Sequence, residues 1–299
     1  MTIHNHKENS PASVQAERDC VNSNNRSNSQ FEDIPTNDNE QVVSHAELPA
    51  PRFEIFEYGK HAPPPKAEAF IEGFLYPGQF SLLFGPSGIG KSALVLDMLV
   101  RASLGLTWGG KQTKPADVLW VPTENPYELQ RRLDVCLNTH SSLNTMDARH
   151  WFSESQFHLA DGETKDNMDA IAQHLSSQQR DRQQVVVFDT LSQAIPGLDE
   201  NSASLMSLVA YNLRYLQSKL PDVHVMLVHH SGKELARGAR GHSALTAAAD
   251  TEIGVTKTQL RVLNQRSGAS GAIVKYALRQ LEHTDEYGEV HSSVGVDYP

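Results

Sequence analysis

The sequence predicts an α/β fold of three layers, with a mostly parallel central sheet between helices and antiparallel hairpins toward its end. Three observations carry this expectation. A short apolar run, Phe80-Ser81-Leu82-Leu83-Phe84, opens through a glycine-rich turn into a helical pattern. Further apolar runs at 116–121, 184–188 and 223–228 alternate with stretches of helical period, as parallel strands joined by right-handed crossovers require. Beyond residue 250 the pattern changes to short strand-like pieces at 260–263, 272–278 and 290–296, joined by turns such as Asp285-Glu286-Tyr287-Gly288.

Taken in order, residues 1–50 are rich in Asn, Ser, Glu and Gln and show no sustained period. They read as a disordered arm, either a tether for a replication or recombination partner or an entropic tail. Pro49, Pro51 and Pro63-Pro64-Pro65 mark a stiff approach to the folded part, which is expected to occupy 51–299. The apolar segment 69–78 is a lead-in laid against the core. After the first strand comes the helix that starts near Ala93-Leu94-Val95-Leu96, and Gly105 and Gly109-Gly110 break it. The run 116–121 is a buried strand. Asn125 is placed to cap the next helix, Pro126 suits its first position, and Leu129, Leu133 and Leu137 recur on one face. A further strand is expected at Phe157-His158-Leu159. Met168, Ile171, Ala172 and Leu175 then fall at i, i+3, i+4 and i+7, an amphipathic helix that leads into the doubly buried strand 184–188. Leu205, Leu208, Val209, Leu213, Leu216 and Leu220 define another helix before the strand 223–228.

The turn after the first strand is the most informative stretch. Gly85-Pro86-Ser87-Gly88-Ile89-Gly90-Lys91-Ser92, with Ala93 opening the helix, has the composition of a phosphate-binding loop. Backbone N–H groups and the positive end of the following helix can converge on an anion there only if side chains are absent, and Gly85, Gly88 and Gly90 remove them. Lys91 supplies a mobile cation for β- and γ-phosphate oxygens, and the Ser92 hydroxyl is placed to ligate Mg2+. ATP or GTP is the expected ligand.

Ligands of open α/β sheets collect at the carboxyl ends of the strands, so the polar residues that follow each run form one candidate set. Asp189 ends the strand 184–188 and suits Mg2+ held through water, with capping of the next segment as its structural alternative. Glu124, beyond the strand 116–121, is the candidate base that orients the attacking water; otherwise it is a first-turn acid of the following helix. His229 and His230 end the strand 223–228, and alternation along it allows only one of them to face the nucleotide. The next segment, 231–243, carries Lys233, Arg237 and Arg240 with a single acid, Glu234. It reads either as a grip for a phosphodiester backbone or as a solvated loop.

Composition narrows the remaining classes. The net charge of -10 argues against a globally basic nucleic-acid binder but permits a local basic channel. Two cysteines, Cys20 and Cys136, lack the spacing of a thiolate metal site and suit a reducing cytoplasm. No run approaches the roughly 18 apolar residues of a membrane span.

The ordered set of the 85–92 loop, Glu124, Asp189-Thr190 and His229-His230 resembles the RecA-like ATPases. More narrowly, it is similar to the hexameric replicative helicases of the DnaB type and the plasmid-encoded RepA helicases, over about residues 68 to 299. Pro122-Thr123-Glu124-Asn125-Pro126 with Arg131-Arg132 looks like the family's catalytic-glutamate segment. The stretch 240–250 is similar to the segment that follows its DNA-facing loop. Asn264-Gln265-Arg266, followed by Gly268 and Gly271, resembles an element that reaches into the neighbouring subunit. The resemblance implies a RecA-like P-loop NTPase domain over 51–299. It implies Lys91 and Ser92 on phosphate and Mg2+, Glu124 as catalytic base, Asp189 on Mg2+, His230 as γ-phosphate sensor and Arg266 as an arginine finger acting in trans. Asn264 stands where the family has a lysine. The implied activity is that of an ATP-dependent DNA helicase in replication: a cytoplasmic homohexamer that surrounds single-stranded DNA, contacted through Lys233, Arg237 and Arg240. The same motifs would serve a RecA-like ATPase that binds DNA without unwinding it, such as a recombination mediator, a loader or a switch.

Overall fold

The computed structural model describes residues 57, 59–60, 67–123, 125–140, 148–179, 181–230, 243–284 and 288–299. All of these except 57, 59 and 60 fall in one compact unit, Pro63–Pro299. The expected arm 1–50, Glu124 and the 231–242 stretch with Lys233, Arg237 and Arg240 lie outside the described residues.

The strands in chain order are β1 (Phe80–Gly85), β2 (Ala116–Pro122), β3 (His150–Phe152), β4 (Gln183–Asp189), β5 (His224–His230), β6 (Thr251–Val255), β7 (Gln259–Gln265), β8 (Ile273–Lys275), β9 (Ala277–Thr284) and β10 (Val290–Asp297). The helices are α1 (Lys91–Ser103), α2 (Pro126–Asn138), α3 (Thr164–Ser177), α4 (Leu191–Ala194), α5 (Ala203–Lys219) and α6 (Ser243–Ala248). Eight strands form one sheet in the order β3-β2-β4-β5-β1-β6-β7-β8, and β9 and β10 form a separate two-stranded sheet. The pairs from β3 through to β6 are parallel; β7 and β8 are added antiparallel. The expected mostly parallel α/β sheet with antiparallel strands at its end is therefore the observed fold.

The central strands have no polar face because helices cover both sides. Along β1, Leu83 faces a core built with α1, α2 and residues of the lead-in, including Phe70, Ile71 and Phe74. Phe80, Leu82 and Phe84 point the other way, into a core with α3, α5 and α6. Each helix contributes one stripe. On α5, Met206, Val209, Leu213 and Leu216 are buried whereas Leu208 is 42% exposed, so Leu208 belongs to the outer face.

One expected strand is misplaced. Phe157 and Leu159 are buried, but they lie in irregular chain, and the edge strand is His150–Phe152, paired with β2 from Val118↔His150 to Trp120↔Phe152. Leu159 instead gives its N–H to the Ala194 carbonyl and accepts from Asn212 Nδ2, 2.8 Å in each case. Burial alone imitated a strand there; the backbone partners decide otherwise.

Candidate nucleotide site

Strand register brings the candidate residues to one edge. Gly85 pairs with His230, Asp189 with Val228, and Pro122 with Asp189, so the carboxyl ends of β1, β5, β4 and β2 finish level. The loop from Gly85 to Gly90 then enters α1 directly. Gly90 takes the cap position in the left-handed region, φ 86 and ψ 26, a conformation that costs a side-chain-bearing residue. Gly85 is constrained by space: a Cβ there would come within 2.6 Å of the Val255 carbonyl oxygen on β6. α1 therefore presents the unpaired N–H groups of its first turn at the mouth of this loop.

Lys91 is 5% exposed. Its Nζ donates to the Gly85 carbonyl at 3.1 Å, the Pro86 carbonyl at 2.9 Å and His230 Nδ1 at 3.0 Å. An ammonium has no acceptor, so His230 Nδ1 must accept and carries no proton in this contact. The proton of the neutral ring is thereby assigned to Nε2. His229, one residue earlier, is fully buried. As alternation along β5 requires, only one of the two histidines meets the loop.

Asp189 is 8% exposed, and the peptide bond after it is cis. The segment is tied across to β2 by Thr123: its N–H donates to the Asp189 carbonyl at 3.0 Å, and its hydroxyl donates to the Thr190 carbonyl at 2.8 Å and accepts from Thr190 N–H at 2.7 Å. On the far side of position 124, Asn125 Oδ1 caps α2 by accepting from Tyr127 N–H and Glu128 N–H. The chain on both sides of Glu124 is thus fixed at the carboxyl edge.

A small pocket of about 70 Å³ joins Ser92 and Asp189 to Pro122, Asn125, Glu128 and Arg132. Ser92 and Asp189 together offer a hydroxyl and a carboxylate, the hard oxygen donors that suit Mg2+, which keeps waters and phosphate oxygens as its other ligands. Among the described residues no cluster of three or more His, Cys, Asp or Glu forms a self-sufficient metal site. Glu128 is paired with Arg132 at 2.9 Å and also with Arg131. Sequence reasoning missed Thr123 and Glu128 as parts of this edge. The signal for Glu128 was present, since an acid three residues after an Asn cap is the capping-box spacing; for Thr123 there was none, because its partner is 67 positions away.

Arg266 is not at this edge. It follows β7, which runs antiparallel to β6, so it emerges at the amino end of β1. Its Nη1 pairs with Asp250 at 3.1 Å and its Nη2 donates to the Ala247 carbonyl at 2.7 Å. Asp250 in turn accepts from Arg214 and, at 2.9 Å, from Phe80 N–H. Phe80 is five residues before Gly85, roughly 16 Å along an extended strand. The Arg266 side chain is 53% exposed.

A nucleotide-type phosphate loop on a parallel sheet, with a lysine, a serine and a carboxylate converging at the carboxyl edge, defines a P-loop ATPase of RecA-like arrangement. The AAA domain family matches residues 47–236, and the chain belongs to that family. No curated protein matches the sequence. A solved structure of a DnaB-like replicative helicase, described with its interactions with primase, aligns with a TM-score of 0.49 at 12% identity, covering 67% of this chain and 55% of that one. This chain thus spans about half the length of that helicase. The RadB recombinase aligns with a TM-score of 0.46 at 15% identity, covering 72% of this chain and 90% of that one. No helix among the described residues is long and apolar enough to cross a membrane.

Proposed function

We propose that this ATPase is a ring-forming motor of the RepA/DnaB type, hydrolysing ATP between neighbouring copies to move along single-stranded DNA during replication. The observation that carries the proposal is the division of the ATPase residues between two ends of one sheet. Lys91, Ser92, Asp189 and His230 gather at the carboxyl edge, while Arg266 stands half-exposed at the amino edge, beyond reach of its own loop. A guanidinium in that position can neutralise phosphoryl-transfer charge only in a second copy.

In this reading the loop N–H groups and Lys91 hold the β- and γ-phosphates of ATP, and Lys91 exchanges its carbonyl contacts for phosphate oxygens. Ser92 and Asp189 would hold Mg2+, which would neutralise phosphate charge there. Glu124 orients the attacking water and accepts its proton. His230, with its proton on Nε2, donates to the γ-phosphate and so reports its loss to β5. Lys233, Arg237 and Arg240 contact the DNA backbone, and residues 1–50 engage a replication partner.

Native mass measured with and without ATP and single-stranded DNA tests the assembly, and a hexamer is expected. Lys91→Ala is expected to lower ATP turnover by about 100-fold or more, and a variant turning over like the parent would remove the site. Displacement of a strand from a forked duplex separates a helicase from a non-unwinding motor, which would show DNA-stimulated ATPase alone.

A further inference from the structure

The β9–β10 hairpin makes no backbone ladder with the central sheet and lies instead across α1 and α2. Two of its side-chain contacts fall on the element that carries the phosphate loop. Leu278 of β9, itself 39% exposed, sits on Gly90: a Cβ at Gly90 would come within 2.6 Å of Leu278 Cδ1. Leu278 is opposite Val296 in the hairpin register, and Val296 is buried in the core shared with α1. At the same open end of the hairpin, two residues beyond Val296, Tyr298 donates its hydroxyl to Asp97 Oδ2. Asp97 lies six residues into α1 from Lys91, roughly 9 Å along the helix.

This second contact is elaborate for a loop-to-helix packing. Asp97 is 5% exposed and accepts from Arg101 Nε at 3.1 Å through both oxygens. The Arg101 guanidinium lies 5.2 Å over the Tyr298 ring, and Trp108 meets the same ring edge-on at 6.2 Å. Burial pushes the Asp97 carboxyl up, against the pull of Arg101 and Tyr298. Burial, then the Asp97 charge, pushes the Tyr298 hydroxyl up, so Tyr298 stays a donor. Gly109 leaves room for this packing, since a Cβ there would come within 3.1 Å of Tyr298 Cδ1.

We propose that the β9–β10 hairpin is a clasp for the phosphate loop. Leu278 is a positioning residue that holds Gly90 in its left-handed cap conformation, and the Tyr298–Asp97 bond holds the hairpin in place on α1. The inference deepens the nucleotide reading and rests on it. Gly90 sets the direction of the first N–H groups of α1, and those N–H groups are what a phosphate meets. Loosening Leu278 enlarges the set of loop conformations that a nucleotide must reorder, which weakens its affinity without touching the chemistry of Lys91 or Ser92.

The test uses the full chain, a fluorescent ATP analogue with Mg2+, and ATP turnover measured against concentration. Leu278→Ala is expected to weaken analogue binding and raise KM by about tenfold with kcat little changed. Tyr298→Phe, which keeps the ring and removes only the hydroxyl, is expected to weaken binding about threefold. Val294→Ser, at an exposed position nearer the hairpin turn, is expected to bind like the parent. Hydrogen exchange should show the β9–β10 amides gaining protection when the analogue binds the parent and losing that gain in Tyr298→Phe. Parent-like affinity in both Leu278→Ala and Tyr298→Phe overturns the clasp while leaving the nucleotide site intact. Equal losses in Val294→Ser also overturn it, as general destabilisation of the hairpin. Absence of analogue binding by the parent itself overturns the nucleotide reading and the clasp together.

Discussion

The two ends of β5 carry a histidine each, and they are built for opposite tasks. His224 at the amino end is fully buried. Its Nδ1 meets the Tyr76 carbonyl and its Nε2 meets Ser81 Oγ, 2.8 Å in each case. The carbonyl can only accept, so Nδ1 carries the proton, and burial disfavours a second one on Nε2. His230 at the carboxyl end is partly exposed and accepts from Lys91. The same contrast runs across the sheet. At the amino edge, Asp250 is bonded by two arginines and a backbone N–H, partners of the kind that hold a fold. At the carboxyl edge, the contacts of Lys91 include two carbonyls and an imidazole, neutral acceptors weaker than a phosphate oxygen would be. In the proposed function, one end of the strand stays as it is and the other exchanges partners.

The sharpest way to break this contrast is Arg266→Ala. If Arg266 serves another copy's site, as proposed, steady-state turnover is expected to fall about a thousandfold or more while analogue affinity stays within about threefold. Turnover like the parent would leave Arg266 as a mere partner of Asp250. Next in size is acid sensitivity. Burial lowers His224 to about 4 from its ordinary 6.5, so the unfolded chain takes up a proton below pH 6.5 that the folded chain refuses. The stability this group confers is whole above that value and is lost as pH falls toward 4, by about 3 kcal/mol. Urea unfolding at pH 7 and pH 4.5 should show the loss, and His224→Gln should reduce the difference, leaving the share of His150, which burial also lowers to about 4; an unchanged difference would mean the amino end does not hold its histidine neutral. Smaller still is Asp250→Ala. It leaves Arg214 and the Phe80 N–H without their shared acceptor, at a cost of about 2 kcal/mol once the exposure of the arginines is discounted. Chemical denaturation measures it, with analogue affinity expected to remain within about twofold because the carboxyl edge is untouched.

Much of this division was legible along the chain, and some of it was not. The loop from Gly85 to Ser92, the strand ends at Asp189 and His230, and the cap at Asn125 are local patterns of residue type and spacing. Each appears where it was expected, because a short segment's geometry is set by its own backbone preferences. The strand at 157–159 was wrong for a related reason: alternation of buried residues is a record of burial, and irregular chain packed under a helix leaves the same record. The Thr123 clamp on Thr190 and the placement of Leu278 against Gly90 left no trace to read, since each joins residues far apart in number through contacts that only the assembled layers create.

By itself, then, the sequence determined the class of fold and the chemistry of the phosphate loop, since periodicity specifies which faces are buried and glycine positions specify where backbone can approach an anion. Only the tertiary structure decided which edge each candidate reaches. Strand order and register carried Lys91, Asp189 and His230 to one end and Arg266 to the other, and they laid the last hairpin over α1. The physical reason is that register is chosen by the packing of two cores at once, a cooperative property of the whole sheet and not of any one of its strands.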